Sequence, residues 1–214
     1  LRGKRIALLT HRAAVDQQGR HILDVLALAP DINLQTIYSP EHGLWGNAEA
    51  GEKVTGPQRA PAPVVSLYGE RRAPDPAELD GLDYFVVDLQ DVGSRYYTYI
   101  ATLKDCLAVC ARTGTTVLVL DRPNPLGGEI LEGPMALKTD SPVCCAPIPV
   151  RHGMTLGETA LYFLENDFAG TPLQVVVITL DAWPRDQLFG VCDLPWVPPS
   201  PNIPTWETAL AYVG

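Results

Sequence analysis

One loop of the sequence gathers a carboxylate, an imidazole and an indole together with three glycines. It covers residues 38–52 and follows an apolar, β-branched run that is typical of a strand. Glycines let the backbone turn sharply or approach a ligand closely, and Pro40 stiffens the chain directly before Glu41. Any single residue of such a loop is more often part of a simple turn, but the combination favours a site. Glu41 is therefore the first candidate for chemistry.

Most other polar segments also follow the carboxyl ends of predicted strands. Those ends share one edge of an open parallel sheet, and ligands bind in the crevice there, so we expect these loops to converge on one pocket. Position alone does not separate a site from ordinary turns, because every α/β domain has loops at this edge. The candidates for binding are His42, Glu70, Arg95, Tyr96, Tyr99, Arg122, Arg151 and His152.

These residue types fit the hydrolysis of a glycosidic bond. Such hydrolysis commonly needs one protonated carboxylic acid and a second carboxylate as base or nucleophile, and burial can keep a carboxylic acid protonated at neutral pH. We predict Glu41 as the acid and Asp88 or Asp91 as the second group, with Glu70 as a further alternative. Asp88 ends a buried run, so it equally suits a structural role that braces neighbouring loops. Aromatic faces pack on sugar rings, and arginine can hold a substrate carboxylate in a bidentate fork.

Composition and missing motifs argue against other functions. A net charge of −9 and a pI near 4.8 disfavour nucleic acid or an anionic membrane as the main partner. No apolar run is long enough to span a membrane. The five cysteines and the histidines show no metal-ligand spacing, so we expect free thiols and no metal. A nucleotide-dependent enzyme is disfavoured, since residues 10–14 lack the glycine fingerprint of NAD or FAD sites and no P-loop is present.

The elements that must position these residues alternate between strands and helices. This alternation predicts an open, mostly parallel α/β sheet, and without a linker or repeat we predict one domain over residues 1–214. The predicted strands are residues 4–10, 34–37, 63–68, 84–89, 117–120, 147–150 and 175–180. The predicted helices are residues 21–29, 95–112, 155–166 and 206–212, with a helical turn at 76–79.

Six segments, in this order along the chain, carry a family resemblance. They are residues 38–52 (YSPEHGLWGNAEAGE), 88–99 (DLQDVGSRYYTY), 121–128 (DRPNPLGG), 132–134 (EGP), 147–158 (PIPVRHGMTLGE) and 194–205 (LPWVPPSPNIPT). Together they resemble the bacterial exo-β-N-acetylmuramidase family of NamZ type, formerly a domain of unknown function. The resemblance implies a Rossmann-like catalytic domain with helices on both sheet faces and no dinucleotide or other cofactor. It also implies release of terminal N-acetylmuramic acid from the non-reducing ends of peptidoglycan fragments, with Glu41 as the catalytic glutamate.

The resemblance also carries expectations about the pocket. Arg95 or Arg151 would meet the lactyl carboxylate of the sugar, while His42 and Tyr96 shape the site. The second catalytic group stays open, because the acetamido group of the substrate can replace a protein nucleophile. The alternative function is a non-catalytic cell-wall sugar-binding domain.

This sequence departs from the family pattern in two respects, and its cysteine count conflicts with the compartment that the family implies. Members usually continue into a C-terminal domain that walls the cleft, whereas this sequence stops at Gly214, so we expect that domain to be missing. Asn47 stands where aspartate is frequent. Members are commonly exported, so we expect a periplasmic or secreted protein, although the odd number of cysteines points towards a reducing compartment.

Overall fold

A six-stranded, all-parallel sheet forms the centre of the computed structural model, which describes residues 1–46, 48–49, 52, 60–181 and 183–214. The strand order is β3-β2-β1-β4-β5-β6, which is the Rossmann order with its reversal between β1 and β4. The predicted fold class is therefore confirmed. The strands are β1 Arg5–Thr10, β2 Asn33–Ser39, β3 Val64–Ser66, β4 Tyr84–Asp88, β5 Thr116–Leu120 and β6 Val175–Ile178.

Helices cover both faces of the sheet. Along β1, Ala7 and Leu9 face the core on which α2 and α3 pack, while Ile6 and Leu8 face the smaller core beneath α1. Burial on both faces explains why the central strands are continuous apolar runs. The helices are α1 Ile22–Ala27, α2 Tyr99–Thr113, α3 Leu156–Asn166 and α4 Trp206–Val213, with short 3-10 turns at Pro76–Leu79 and Phe189–Val191.

Helix α2 begins at Tyr99, four residues later than the periodicity predicts. The chain first makes a turn over residues 93–98, which Gly93 opens with a φ of 77°. Tyr96 fits the helical spacing with Tyr99 but lies in this turn. The predicted end is confirmed, because Gly114 caps the helix with a φ of 72° and its N–H donates to the Cys110 carbonyl.

Helix α3 begins with the predicted capping box. The Thr155 hydroxyl accepts from the Glu158 N–H at 3.1 Å, and the Glu158 carboxylate accepts from the Thr155 N–H at 2.9 Å. Asp121, at the end of β5, accepts from the Thr155 hydroxyl at 2.7 Å and from the Gly157 N–H at 2.8 Å. Its carboxylate thereby fixes the start of α3 against the sheet.

The strand predicted over residues 147–150 does not form. That segment has no regular structure, and two isolated bridges join Arg151 to Ser94 and to Glu132. Pro147 and Pro149 lack the N–H groups that a strand within a sheet must donate. The segment from residue 129 to 150, which we call the strap, therefore does not join the sheet, and its Cys145, Ala146 and Ile148 side chains pack into the larger core. No helix in the described ranges is long and apolar enough to cross a membrane.

Candidate active site

Glu41 lies in the turn that follows β2 and is 8% exposed. The hydroxyl of Thr98, the residue before α2, donates to the Glu41 Oε2 atom at 2.7 Å. Tyr68, just after β3, also hydrogen-bonds to the Glu41 side chain, and burial together with this contact raises the pKa of Tyr68. Two hydroxyl groups from separate loops therefore hold this carboxylate in place.

His42 takes a left-handed backbone conformation with a φ of 72°, unlike any other non-glycine residue in the described part of the chain. Such conformations are uncommon outside glycine and concentrate at functional sites. The His42 Nδ1 atom lies 3.0 Å from the Ala48 carbonyl oxygen. A carbonyl can only accept, so the His42 Nδ1 atom carries a proton and donates it to Ala48. The neighbouring Asn47 is outside the described residues.

A cavity of about 290 Å³ opens beside the Glu41 carboxylate. One side comes from the loops after β2 and β3 and the turn before α2: Glu41, His42, Tyr68, Tyr96, Tyr97 and Thr98. The other comes from the strap, from residues 194–205, which we call the tail, and from α4: Pro142, Val143, Ser200, Asn202, Ile203 and Tyr212. Within the described residues the lining holds one carboxylate, four tyrosines and no lysine or arginine. This combination suits an uncharged ring such as a sugar beside a single acid.

Tyr97 lines this cavity and carries a buried hydroxyl. The residue is 6% exposed, and its hydroxyl has no partner of acceptable geometry in the described structure. Burial raises the pKa of Tyr97 well above its usual value, so the hydroxyl stays protonated and can donate. Buried polar groups are rarely left unpaired, and the neighbouring Tyr99, whose ring lies 4.4 Å away, contributes to the raised pKa of Tyr97.

Asp88 and Arg122 bind each other instead of facing the cavity. Arg122 donates from Nε to Asp88 Oδ1 at 2.6 Å and from Nη2 to Asp88 Oδ2 at 3.2 Å. Its Nη1 atom donates to the Val15 carbonyl at 2.8 Å. The pair joins the ends of β4 and β5 to the loop after β1, which is the structural role that the sequence left open for Asp88.

Arg95 and Arg151 hold the strap, and neither lines the cavity with Glu41. Arg95 donates from Nη1 to the carbonyl oxygens of Pro134, at 2.7 Å, and of Ile148. Arg151 pairs with Glu132 at 2.6 Å and donates to a carbonyl of the loop after β5. The prediction that one of these arginines meets a substrate carboxylate in this cavity therefore does not fit their placement.

Asp91 and His152 face each other behind the cavity lining. Asp91 accepts from the Gly93 N–H at 2.8 Å, and its Oδ2 atom lies 3.7 Å from the His152 Nε2 atom. Both residues are buried and neither lines the cavity, so Asp91 does not stand across it from Glu41. Glu70 is exposed and is likewise outside the lining.

Tyr99 points into the core, where its hydroxyl is already engaged. The Gln90 N–H donates to His11 Nε2 at 2.9 Å, which makes His11 Nδ1 the protonated nitrogen, 3.2 Å from the Tyr99 hydroxyl. Tyr99 in turn donates to the Pro199 carbonyl at 2.9 Å. Burial lowers the pKa of His11 well below 6.5, consistent with the neutral ring that this chain of bonds requires. Tyr99 is thus a support that holds the tail against the ends of β1 and β4.

The structure brings together three of the predicted site residues, Glu41, His42 and Tyr96, and adds others that the sequence did not single out as site residues. Thr98, Ser200, Asn202 and Tyr212 complete the lining. Their only sequence signal was position: Thr98 is the second-to-last residue of the 88–99 segment, and the serine and asparagine interrupt the proline-rich segment 194–205. No group of three or more His, Cys, Asp or Glu side chains that could hold a metal ion occurs in the described ranges.

Comparison with known proteins places this geometry in a family. A family profile described as exo-β-N-acetylmuramidase NamZ, N-terminal, matches residues 6–207. Over 99% of its length the chain is 40% identical to the peptidoglycan β-N-acetylmuramidase NamZ of Bacillus subtilis (strain 168), of which it covers 51%. The chain thus spans about half the length of this curated relative.

Two crystal structures of DUF1343 family proteins from Bacteroides fragilis NCTC 9343 have the same fold. The first is 37% identical with a TM-score of 0.88, and the match covers 99% of this chain and 54% of that one. The second is 33% identical with a TM-score of 0.77, and the match covers 98% of this chain and 55% of that one. The likeness therefore extends over the whole described domain.

Proposed function

This chain belongs to the N-terminal family of exo-β-N-acetylmuramidase NamZ, and we propose that it supplies the acid for a peptidoglycan glycosidase. The proposed reaction releases terminal N-acetylmuramic acid from the non-reducing ends of peptidoglycan fragments. Peptidoglycan lies outside the cytoplasmic membrane, so the proposal includes export. The observation that carries it is the Glu41 carboxylate, held by two hydroxyl groups at the wall of an aromatic cavity.

In the proposed reaction Glu41 is the general acid. Its proton passes to the glycosidic oxygen as the bond from that oxygen to C1 of the sugar breaks. The hydroxyl groups of Thr98 and Tyr68 orient the carboxylate, and Tyr96 and Tyr97 pack against the sugar ring. Glu41 then takes a proton from the water that attacks C1, which returns the enzyme to its starting state.

The nucleophile of the first step is proposed to be the acetamido oxygen of the substrate. Asp88 is bound by Arg122, and Asp91 lies behind the lining with Gly93. Glu41 is the one carboxylate among the described lining residues, whereas two protein carboxylates are usual in glycosidases. Attack by the acetamido oxygen on C1 needs no second carboxylate. The unpaired Tyr97 hydroxyl is a suitable donor to this acetamido group.

The test is hydrolysis of a chromogenic N-acetylmuramide by the protein and by its Glu41→Gln variant. Loss of a general acid typically costs 10²- to 10⁴-fold in rate, so we expect a fall of roughly this size in kcat. Glu165→Gln, an exposed glutamate on α3, is the matched control and should keep the parent rate. Unchanged turnover in Glu41→Gln would remove Glu41 from the chemistry.

A non-catalytic sugar-binding domain is the second candidate. It is favoured by the single carboxylate in the described lining, since two protein carboxylates are usual in glycosidases. Binding of N-acetylmuramic acid without turnover of the chromogenic substrate would support it. Turnover that depends on Glu41 would exclude it.

A further inference from the structure

A second cavity of about 270 Å³ adjoins the Glu41 cavity. The two share Tyr68, Thr98 and Pro142 as lining residues. Tyr68 and Thr98 are also the residues that hydrogen-bond to the Glu41 carboxylate. The second cavity therefore adjoins the first at side chains that contact the Glu41 carboxylate, on the side from which a substituent of a sugar ring bound beside Glu41 can enter it.

Arg72 is the one cation that lines either of these cavities in the described part of the chain. Its Nη2 atom lies 2.9 Å from Asp105 Oδ2, and the two side chains are 48% and 34% exposed. Burial raises the pKa of Asp105, so keeping this carboxylate charged is costly. An exposed pair of this kind contributes little to stability and can open towards another anion.

The arginines that the sequence suggested for anion binding have other partners. Arg122 is bound by Asp88, Arg151 by Glu132, and Arg95 by carbonyl oxygens of the strap. All three side chains are largely buried in these contacts. Arg72 differs because its own side chain is 48% exposed and lines a cavity.

From this geometry we infer that the second cavity is a carboxylate subsite, in which Arg72 binds the lactyl carboxylate of N-acetylmuramic acid. The inference rests on the proposed function and names how the substrate is recognised. A guanidinium group binds a carboxylate through two parallel hydrogen bonds, which a neutral lactyl amide cannot match. Asp105 occupies Arg72 in the free protein and competes with the substrate for it. The same chemistry would fit a carboxylate of a peptide attached to the lactyl group, and the substrates below distinguish the two.

The test compares a chromogenic N-acetylmuramide with the methylamide of its lactyl group. We expect Arg72→Gln to lower kcat/KM for the free acid by about 10- to 100-fold, mainly through KM, and to leave the amide nearly unchanged. Asp105→Asn should lower KM for the acid and not for the amide. Arg112→Gln, an exposed arginine near the far end of α2, controls for the change in net charge.

An equal effect of Arg72→Gln on both substrates would overturn the inference while leaving the glycosidase proposal standing. A parent protein that prefers a lactyl-linked peptide acid over the free lactyl acid would assign the subsite to the peptide carboxylate, which also overturns it. If the parent protein hydrolyses neither substrate, calorimetric binding of N-acetylmuramic acid and N-acetylglucosamine decides. A preference for the muramic acid that Arg72→Gln abolishes supports the subsite, and no preference overturns it.

Discussion

Tyr97 lines the cavity, and its buried hydroxyl has no hydrogen-bond partner of acceptable geometry among the described residues. Removing a buried hydroxyl that has a partner leaves that partner unsatisfied, whereas removing an unpaired one costs the fold nothing. Tyr97→Phe therefore separates a role in binding from a role in folding. The separation is possible because the ring itself packs on Tyr99, 4.4 Å between centroids, and stays in place.

We predict that Tyr97→Phe keeps the free energy of unfolding within about 0.5 kcal/mol of the parent value and lowers kcat/KM for the muramide about tenfold or more. Urea denaturation and steady-state kinetics measure the two quantities. Tyr84→Phe, at the amino end of β4, is the matched control for both. A stability loss without a kinetic loss would mean that the hydroxyl supports the fold.

His11 links the ends of β1 and β4 to the tail, and the linkage requires a neutral ring. Burial lowers the pKa of His11 in the folded state below its unfolded value near 6.5. On acidification the unfolded chain therefore takes up the proton first. The contribution of His11 to stability is complete above about pH 6.5 and is lost as the pH falls from there towards the folded-state pKa.

We predict that the free energy of unfolding falls between pH 6.5 and 5.5 with a His11 contribution of up to about 1 kcal/mol per pH unit. His11→Gln keeps an acceptor for the Gln90 N–H but does not titrate, so its stability should be lower at pH 7.5 and flatter across this range. Urea denaturation at several pH values measures the slopes. Identical slopes in the two proteins would contradict a buried, neutral His11.

At the scale of elements, the turn over residues 93–98 sets where the site residues point. Gly93 has a φ of 77°, and a Cβ atom built on it would collide with the Asn124 side chain. Asn124 cannot move aside easily, because it accepts from the Leu126 N–H at 2.9 Å and donates to the Met154 carbonyl at 2.8 Å. Only glycine fits both the conformation and the space at this position.

We predict that Gly93→Ala destabilises the protein clearly more than Gly114→Ala. Gly114 has a similar φ of 72°, but a Cβ atom at this position would meet nothing within 4 Å, so alanine there costs only the left-handed strain of about 1–2 kcal/mol. At Gly93 the collision adds about 1–3 kcal/mol. Urea denaturation of both variants provides the comparison. Equal losses would show that Asn124 can rearrange.

The elements that sequence predicts well are those with a strong local signal. Continuous apolar runs predict β1 and β4, and the Thr155 and Glu158 pair predicts the start of α3. Residues 147–150 show the limit, since they have the apolar content of a strand but two prolines that prevent pairing. For another reason, the sequence could not predict the structural roles of Arg95, Arg122 and Arg151. Their partners are at least 19 residues away, and no local sequence pattern indicates which distant oxygen atom accepts a hydrogen bond from each guanidinium group.

At the scale of the molecule, the cavity is a product of topology. The Rossmann order brings the loops after β2 and β3 and the turn before α2 to one edge, and the tail returns to close the opposite wall. Because these loops follow predicted strands, the sequence predicted that they meet at one edge of the sheet and that Glu41 lies there. The tail was predicted only as irregular, because five prolines exclude regular structure but say nothing about where the chain goes. The proposed glycosidase activity of this cavity depends on one acid, Glu41.

The most direct test of that acid is how the Glu41→Gln deficit depends on the leaving group. A general acid matters most when the departing oxygen is basic, so the parent-to-variant ratio of kcat/KM should be roughly 10²–10⁴ for an N-acetylmuramic acid disaccharide. For a 2,4-dinitrophenyl N-acetylmuramide, whose leaving group needs little protonation, the ratio should fall towards one. The same ratio for both substrates would contradict a general acid at Glu41.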